Sequence, residues 1–288
     1  MINKSKVILT GSNGFIGKNL EKNLSSIFEV IKISYNELNS IFKEKRFKEK
    51  FIERYSNKNI ICFIHLAAYV HKRNIFTSKN LKSHIYFSNV DLTKTAAEIS
   101  LSLNIPKFIF SSTVGIYGFG TLDPDYKFNT FSPLMPQNLY SASKLSAEYM
   151  LQSVFSEYPD RLTILRVASV INRDAPGSLS FIRFFVKYSI PFPIIYVGNN
   201  NLAIRSFVSL KYLISLIKEI IRKDIFSAEI VNVSSEDHNI LSLLRIFSHK
   251  KNRIFYFSFR INIFFAKLIL RIPIIKNFFA PLLLNLKL

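Results

Sequence analysis

Short apolar runs alternate with longer amphipathic stretches through the first half of the chain, the pattern of βαβ units feeding a parallel sheet. Val7 to Thr10 predicts a first strand, a glycine-rich turn follows, and Phe15 to Ser26 carries helical spacing. Glu29–Ser34, Ile60–His65, Lys107–Ser112 and Thr163–Val167 read as further strands, with helices over Tyr86–Asn104 and Tyr140–Phe155. Asn36 to Asn59 is strongly charged and reads as helix, with no clear strand inside it. Right-handed crossovers between such strands give an α/β fold, a doubly wound parallel sheet covered on both faces. Beyond Asn172 the pattern loosens, which predicts a main domain over residues 1–171 and a smaller, interleaved substrate-binding lobe over 172–288.

The last segment, Ile261 to Leu288, is apolar but interrupted by Lys267, Arg271, Pro273, Lys276 and Pro281, so no unbroken span of about 20 residues exists. Core helices of the lobe are expected there, with a basic amphipathic face that touches a membrane weakly as the alternative.

Composition adds little to that picture. Apolar residues make up 49% and charged residues 20%, as in a globular protein that buries a sizeable core. The 28 Phe and absent Trp fit a codon bias, so they carry no functional weight. A net charge of +20 would suit a polyanion, but the charges are scattered except between His238 and Leu288, which has no Asp or Glu. With no repeat, zinc spacing or helix-turn-helix signature, specific nucleic-acid binding is not expected. One cysteine, Cys62, excludes an internal disulfide and reads as a buried strand residue. The opening residues carry no signal-peptide pattern, and on that reading cytoplasm is the expected location.

Chemistry concentrates in two places. Thr10-Gly11-Ser12-Asn13-Gly14-Phe15-Ile16-Gly17 follows the first strand directly. Glycines at three-residue intervals let the chain turn tightly, let a pyrophosphate approach the backbone and let the helix pack close, while the helix N-terminus offers free N–H groups. Tyr140-Ser141-Ala142-Ser143-Lys144 places a phenol and an ammonium four apart on one helix face. A phenol is a poor base at neutral pH, and a nearby ammonium with an oxidised nicotinamide favours the phenolate. Ser111-Ser112-Thr113 stands upstream at the C-terminal end of a strand, the edge where open α/β sheets bind ligands.

Together with His65-Leu66-Ala67-Ala68 and Tyr117-Gly118, these motifs stand in the order of the extended short-chain dehydrogenases, and the chain resembles their NAD-dependent epimerases/dehydratases of nucleotide sugars. The resemblance spans nearly the whole chain. It implies a Rossmann-type fold, an NAD or NADP cofactor, a UDP-sugar substrate and a homodimer. It assigns Thr113 as the catalytic hydroxyl, Tyr140 as general acid/base and Lys144 as the residue that lowers its pKa and holds the nicotinamide ribose. Gly11, Asn13, Gly14, Phe15, Ile16, Gly17, Ser34, Leu66, Ala67, Ala68 and Ser111 would hold the dinucleotide. Asn89 would support the substrate site, and Arg205, in Arg205-Ser206-Phe207-Val208, would grip the nucleotide diphosphate. No metal is expected.

His65 to His71, Ile190 to Pro193 and Asn201-x-x-x-Arg205-Ser206 are similar to a subgroup of bacterial O-antigen and capsule clusters. That subgroup includes 4-epimerases and 4-ketoreductases, so hydride chemistry at C4 of a UDP-hexose for surface polysaccharide is the expected activity. Three departures stand beside it. Ser34-Tyr35-Asn36 replaces the acid that NAD users place on the ribose, which leaves NADP open. Ser169-Val170-Ile171-Asn172-Arg173 stands where relatives read Tyr-Gly-Pro, and the chain stops at Leu288, earlier than relatives do. A non-catalytic or truncated dinucleotide-binding protein of the same fold is the alternative.

Overall fold

A computed structural model describes residues 4–70, 79–172, 174, 179–198, 202–222, 229–248, 255–271, 279–280 and 282–288. Along the chain run β1 (Lys6–Thr10), α1 (Phe15–Leu24), β2 (Glu29–Ile33), α2 (Tyr35–Lys43), α3 (Lys45–Tyr55) and β3 (Ile60–His65). Next come α4 (Lys79–Tyr86), a π turn at Phe87–Asp91, α5 (Leu92–Ser102), β4 (Phe108–Thr113), α6 (Leu139–Val154) and β5 (Leu162–Val167). The later elements are β6 (Ser169–Ile171), α7 (Leu179–Lys187), β7 (Phe192–Val197), β8 (Arg205–Ser209), α8 (Leu210–Arg222) and β9 (Glu229–Val233). β10 (Glu236–His238), α9 (Ile240–Phe247), β11 (Tyr256–Ile261) and α10 (Ile263–Arg271) complete the order.

The main sheet runs β2-β1-β3-β4-β5-β9, and β1 pairs in parallel with both β2 and β3, as β3 does with β4. Ile8, Phe63, Phe108 and Phe110 point to one side of it, into a core completed by Ala96, Ile99, Leu151 and Phe155 from α5 and α6. Val7 and Leu9 alternate with Ile8 and are fully buried on the other side. Burial of both faces is what the near-continuous apolar runs of the strands require, and the doubly wound, Rossmann-type architecture is as expected. Alanines at 96, 97 and 147 let α5 and α6 approach one another closely.

Three local differences from the sequence pattern have physical causes. Residues 36–59 form two helices, α2 and α3, separated at an extended Glu44. Ser34 ends no strand; its hydroxyl caps α2 by accepting from the Glu37 N–H at 3.2 Å. The helix expected over Tyr86–Asn104 forms with a π turn set into it at Phe87–Asp91, and Asn89 within that turn is fully buried.

The chain divides into two compact units. The first comprises Met1–Ile116, Pro136–Arg166 and Lys211–Val231; the second comprises Tyr117–Met135, Val167–Leu210 and Asn232–Leu288. In the second, β8 lies between β10 and β6, while β7 pairs in parallel with β11. Leu179, Ile182, Phe192, Leu243 and Phe247 form a core there. The last residues are held to the same unit by Thr121–Asn285, Lys127–Lys287 and Arg205–Leu286 bridges. Among the described residues of Ile261–Leu288, where core helices are expected, α10 and residues 279–280 and 282–283 are helical, while 285–287 bridge as strand.

Candidate active site

β1 ends at Thr10, and Gly11 follows with φ +73°, a conformation glycine adopts without strain. A Cβ there would lie 2.7 Å from the Ala67 nitrogen, so the turn is pressed against the backbone that leaves β3. A Cβ on Gly17 would come within 2.1 Å of the Gly11 oxygen, which is why α1 can rest directly on the turn. Gly14 is the N-cap of α1, with no side chain capping the helix and no acid in its first turn. The positive end of α1 thus borders a cleft of about 260 Å³. Gly11, Asn13, Gly14, Ser34, Leu66, Ala67 and Ala68 line it, seven of the positions expected to hold a dinucleotide. Phe15, Ile16 and Gly17 form the helical turn behind it. Space without Cβ atoms, an uncapped helix start and a largely apolar lining fit a dinucleotide. Lys32, near Ser34 in sequence, is not among the residues that line the cleft, and its ammonium pairs with Glu21 at 2.9 Å.

A directed hydrogen-bond chain lies beneath this cleft. The Thr93 hydroxyl donates to the Asn89 carbonyl at 2.8 Å, so it accepts from His65 Nε2–H at 3.0 Å. His65 Nδ1 then accepts from the Thr10 hydroxyl at 2.8 Å, and Thr10 accepts from the Ala67 N–H. Burial, with a smaller contribution from Lys144, pushes the His65 pKa down to about 3, which keeps the ring neutral in this arrangement. Asn89 is fully buried. Its Oδ1 accepts from the Tyr69 N–H at 2.6 Å, while Nδ2 donates to Tyr69 O and to Ser143 Oγ at 2.9 Å. The amide is committed within the protein, so Asn89 positions the segment after β3 against α6 rather than offering atoms to a substrate.

α6 begins under an Asn138 cap, whose side chain accepts from the Ser141 N–H. Tyr140 lies in its first turn and Lys144 one turn on. Lys144 Nζ donates to Ser111 O at 2.7 Å and sits 4.4 Å from the Phe110 ring centre, which joins the helix to the C-terminal end of β4. Thr113 closes that strand and accepts the Gly115 N–H at 3.1 Å, leaving its hydroxyl hydrogen to donate. Burial pushes the Tyr140 phenol up to about 12. It also pulls Lys144 down to about 7, against the opposing pull of Glu148. The expected lowering of Tyr140 by Lys144 is therefore outweighed in the protein alone, because desolvation penalises both charged forms.

Sequence reasoning missed what stands behind Lys144. Glu148, one turn further along α6, accepts from Arg166 of β5 through Nε at 3.2 Å and Nη2 at 2.8 Å, and from the Ser112 hydroxyl. The pair is almost completely buried, at 1% and 4% side-chain exposure. Arginine inside the apolar Leu162–Val167 run was the available signal.

In the second unit, Arg205 donates to the carbonyls of Phe119 at 2.9 Å and Leu284 at 3.2 Å, and burial pulls its pKa down to about 10. His71, Arg173 and Asn201 lie outside the described residues. No cluster of metal ligands occurs among the described residues.

Residues 7–233 match the model of the NAD dependent epimerase/dehydratase family, and the chain belongs to that family. A dTDP-D-glucose 4,6-dehydratase of Dictyostelium discoideum is 30% identical over 194 residues, 57% of this chain and 44% of the relative. A UDP-glucose 4-epimerase of Vibrio cholerae is 25% identical over 219 residues, 73% of this chain and 65% of the relative. The chain thus spans less than two thirds of the length of either. Among solved structures, a dTDP-4-dehydrorhamnose reductase from Bacillus anthracis in complex with NADP superposes with a TM-score of 0.67 at 18% identity. That match covers 90% of this chain and 85% of the other, and it shows the shared fold.

Proposed function

We propose that the chain is an NAD(P)-dependent nucleotide-sugar epimerase or reductase acting at C4 of a UDP-hexose, in the cytoplasmic supply of surface polysaccharide. The observation that carries this reading is the Lys144–Ser111 contact. It fixes Tyr140 and Lys144 on the same helix that meets the β4 end, where Thr113 stands. A bound nicotinamide dinucleotide supplies the hydride acceptor or donor. Gly11, Gly14 and the α1 N-terminus would hold its phosphates, and Ser34 with the start of α2 its adenosine ribose. A hydroxyl there, in place of a carboxylate, accommodates NADP as readily as NAD.

Tyr140 Oη takes the proton of the sugar 4-hydroxyl during oxidation and returns one to the C4 oxygen during reduction. Thr113 donates a hydrogen bond to that oxygen, which stabilises charge as it develops. Lys144, as ammonium, opposes the desolvation that raises Tyr140. An epimerase uses both directions in one turnover, and a ketoreductase only the second. Dehydration is disfavoured: dehydratases of this family place an acidic pair after the hydroxyl, whereas Val114 and Gly115 follow Thr113 here. A Cβ on Gly115 would lie 2.7 Å from Ser141 Oγ, so a side chain there would require the Ser141 hydroxyl to turn aside.

The test is a Tyr140→Phe variant assayed with UDP-glucose, UDP-N-acetylglucosamine and a UDP-4-keto-6-deoxyhexosamine, beside NADH and NADPH titrations. A rate loss of about 10²–10⁴ with unchanged dinucleotide binding is expected. Full turnover by the variant sinks the assignment. Dinucleotide binding by the wild type with no turnover on any of the three sugars assigns a non-catalytic dinucleotide-binding role instead.

A further inference from the structure

In the second unit, β11 and α10 both carry apolar side chains that solvent reaches. Phe255, Tyr256, Phe257 and Phe259 are each about half exposed, and Phe264 is 69% exposed. α10 is apolar on two sides. Ala266, Ile269 and Leu270 pack against Ile195, Val197 and Leu283. Phe264, Lys267, Leu268 and Arg271, spaced as one helical stripe, face away from that core and are exposed. Burying one apolar side explains the helix; the second side has no such account among the described residues.

Charge decides what fits it. Lys267 and Arg271 share the α10 stripe with Phe264 and Leu268, and Arg260 is exposed on β11. From His238 to Leu288 the chain carries nine Lys or Arg and no Asp or Glu. A second copy of this face would set cations against cations with no acid to relieve them. A nucleic acid duplex would satisfy the cations but gives the aliphatic Ile263 and Leu268 nothing apolar to enter. An anionic lipid surface satisfies both, with phosphates for the basic groups and the acyl boundary for the rings. α10 has nine residues; at about 13 Å it is too short to cross a bilayer but long enough to lie in its interface. Among the described residues no helix is long and apolar enough to span a membrane.

We propose that the β11–α10 face seats this protein on anionic membrane surfaces. The proposal does not depend on the catalytic reading. It is tested by co-sedimentation of the full chain with vesicles of phosphatidylglycerol and phosphatidylcholine, and of phosphatidylcholine alone. Binding to the anionic vesicles only, weakened by 0.5 M salt at about a 4–5 Å Debye length, is expected. Phe264→Ser with Phe265→Ser should lower the partition coefficient at least about tenfold. Arg260→Glu with Lys267→Glu should lower it about fivefold or more per residue. Lys45→Glu with Lys50→Glu, an equal charge change on exposed α3, should leave it nearly unchanged; circular dichroism and dinucleotide titration confirm that each variant is folded.

Absence of vesicle binding overturns the proposal. So does an equal loss in the α3 variant, which would make net charge the cause. Self-association or duplex DNA binding that is lost with Phe264 and Phe265, without vesicle binding, assigns the face to another partner and overturns it too.

Discussion

Replacing Glu148 by Gln keeps the shape of the side chain and removes its charge, which isolates what the buried carboxylate does. In the native protein it receives hydrogen bonds from two guanidinium nitrogens and from Ser112, with both members of the pair at 4% exposure or less. Removing one partner of such a pair costs about 3–5 kcal/mol, because the other charge stays buried without its counter-ion. Replacing both, as Glu148→Leu with Arg166→Met, removes the penalty along with the attraction. Apart from about 1 kcal/mol for the Ser112 hydroxyl that loses its acceptor, the double variant should lie near the wild type. The chain has 13 Tyr and no Trp, so urea unfolding is best followed by circular dichroism. With an m value of about 3 kcal/mol/M, Glu148→Gln should lower the midpoint by about 1 M or more. The double-mutant cycle should return a coupling of at least about 2 kcal/mol. A Glu148→Gln loss under about 1 kcal/mol, with additive single changes, would refute the description of this pair as buried and ionic.

Three further outcomes follow from the site. His65 has its folded pKa pulled down to about 3, so the unfolded chain binds the extra proton first as pH falls below 6.5. Stability should therefore drop by about 2 kcal/mol between pH 7 and pH 5 on this account, and His65→Gln should show a shallower acid limb in urea titrations. Lys144, pulled from 10.5 to about 7, has the same sign in a different window: stability rises with pH between about 7 and 10, by at most about 1.4 kcal/mol per unit, and Lys144→Met should lose that rise. Gly17→Ala sets a methyl 2.1 Å from the Gly11 oxygen, so NADH affinity by fluorescence titration should fall at least about tenfold; unchanged affinity would remove the glycine turn from the binding site.

Much of the first unit was legible in the sequence, because its strands are buried on both sides and so appear as runs such as Ile60–His65 and Phe108–Thr113. The glycine turn was legible for a related reason: Gly11 and Gly17 sit where backbone meets backbone, and no other residue type fits. What was not legible depends on partners far apart in sequence. Arg166 stands out inside an apolar run, but nothing local shows that α6 and β5 bring Glu148 to it. The π turn left the apolar spacing of Tyr86–Asn104 almost intact, so the inward turn of Asn89 had no signature. β9 joins the sheet from beyond residue 228, a half-buried strand whose spacing gives no hint of its neighbour.

That late strand has a consequence in time. β5 ends at Val167 and its neighbour β9 begins at Glu229, so a ribosome making about 5–20 residues per second needs roughly 3–12 s to supply the missing edge. Until then Leu162–Val167, buried in the finished fold, is an open apolar strand edge, the kind of template on which chains aggregate. Yield in a cell should therefore depend on how well chaperones cover that interval, and slower synthesis of residues 168–228 should lengthen the exposure instead of helping the protein to fold.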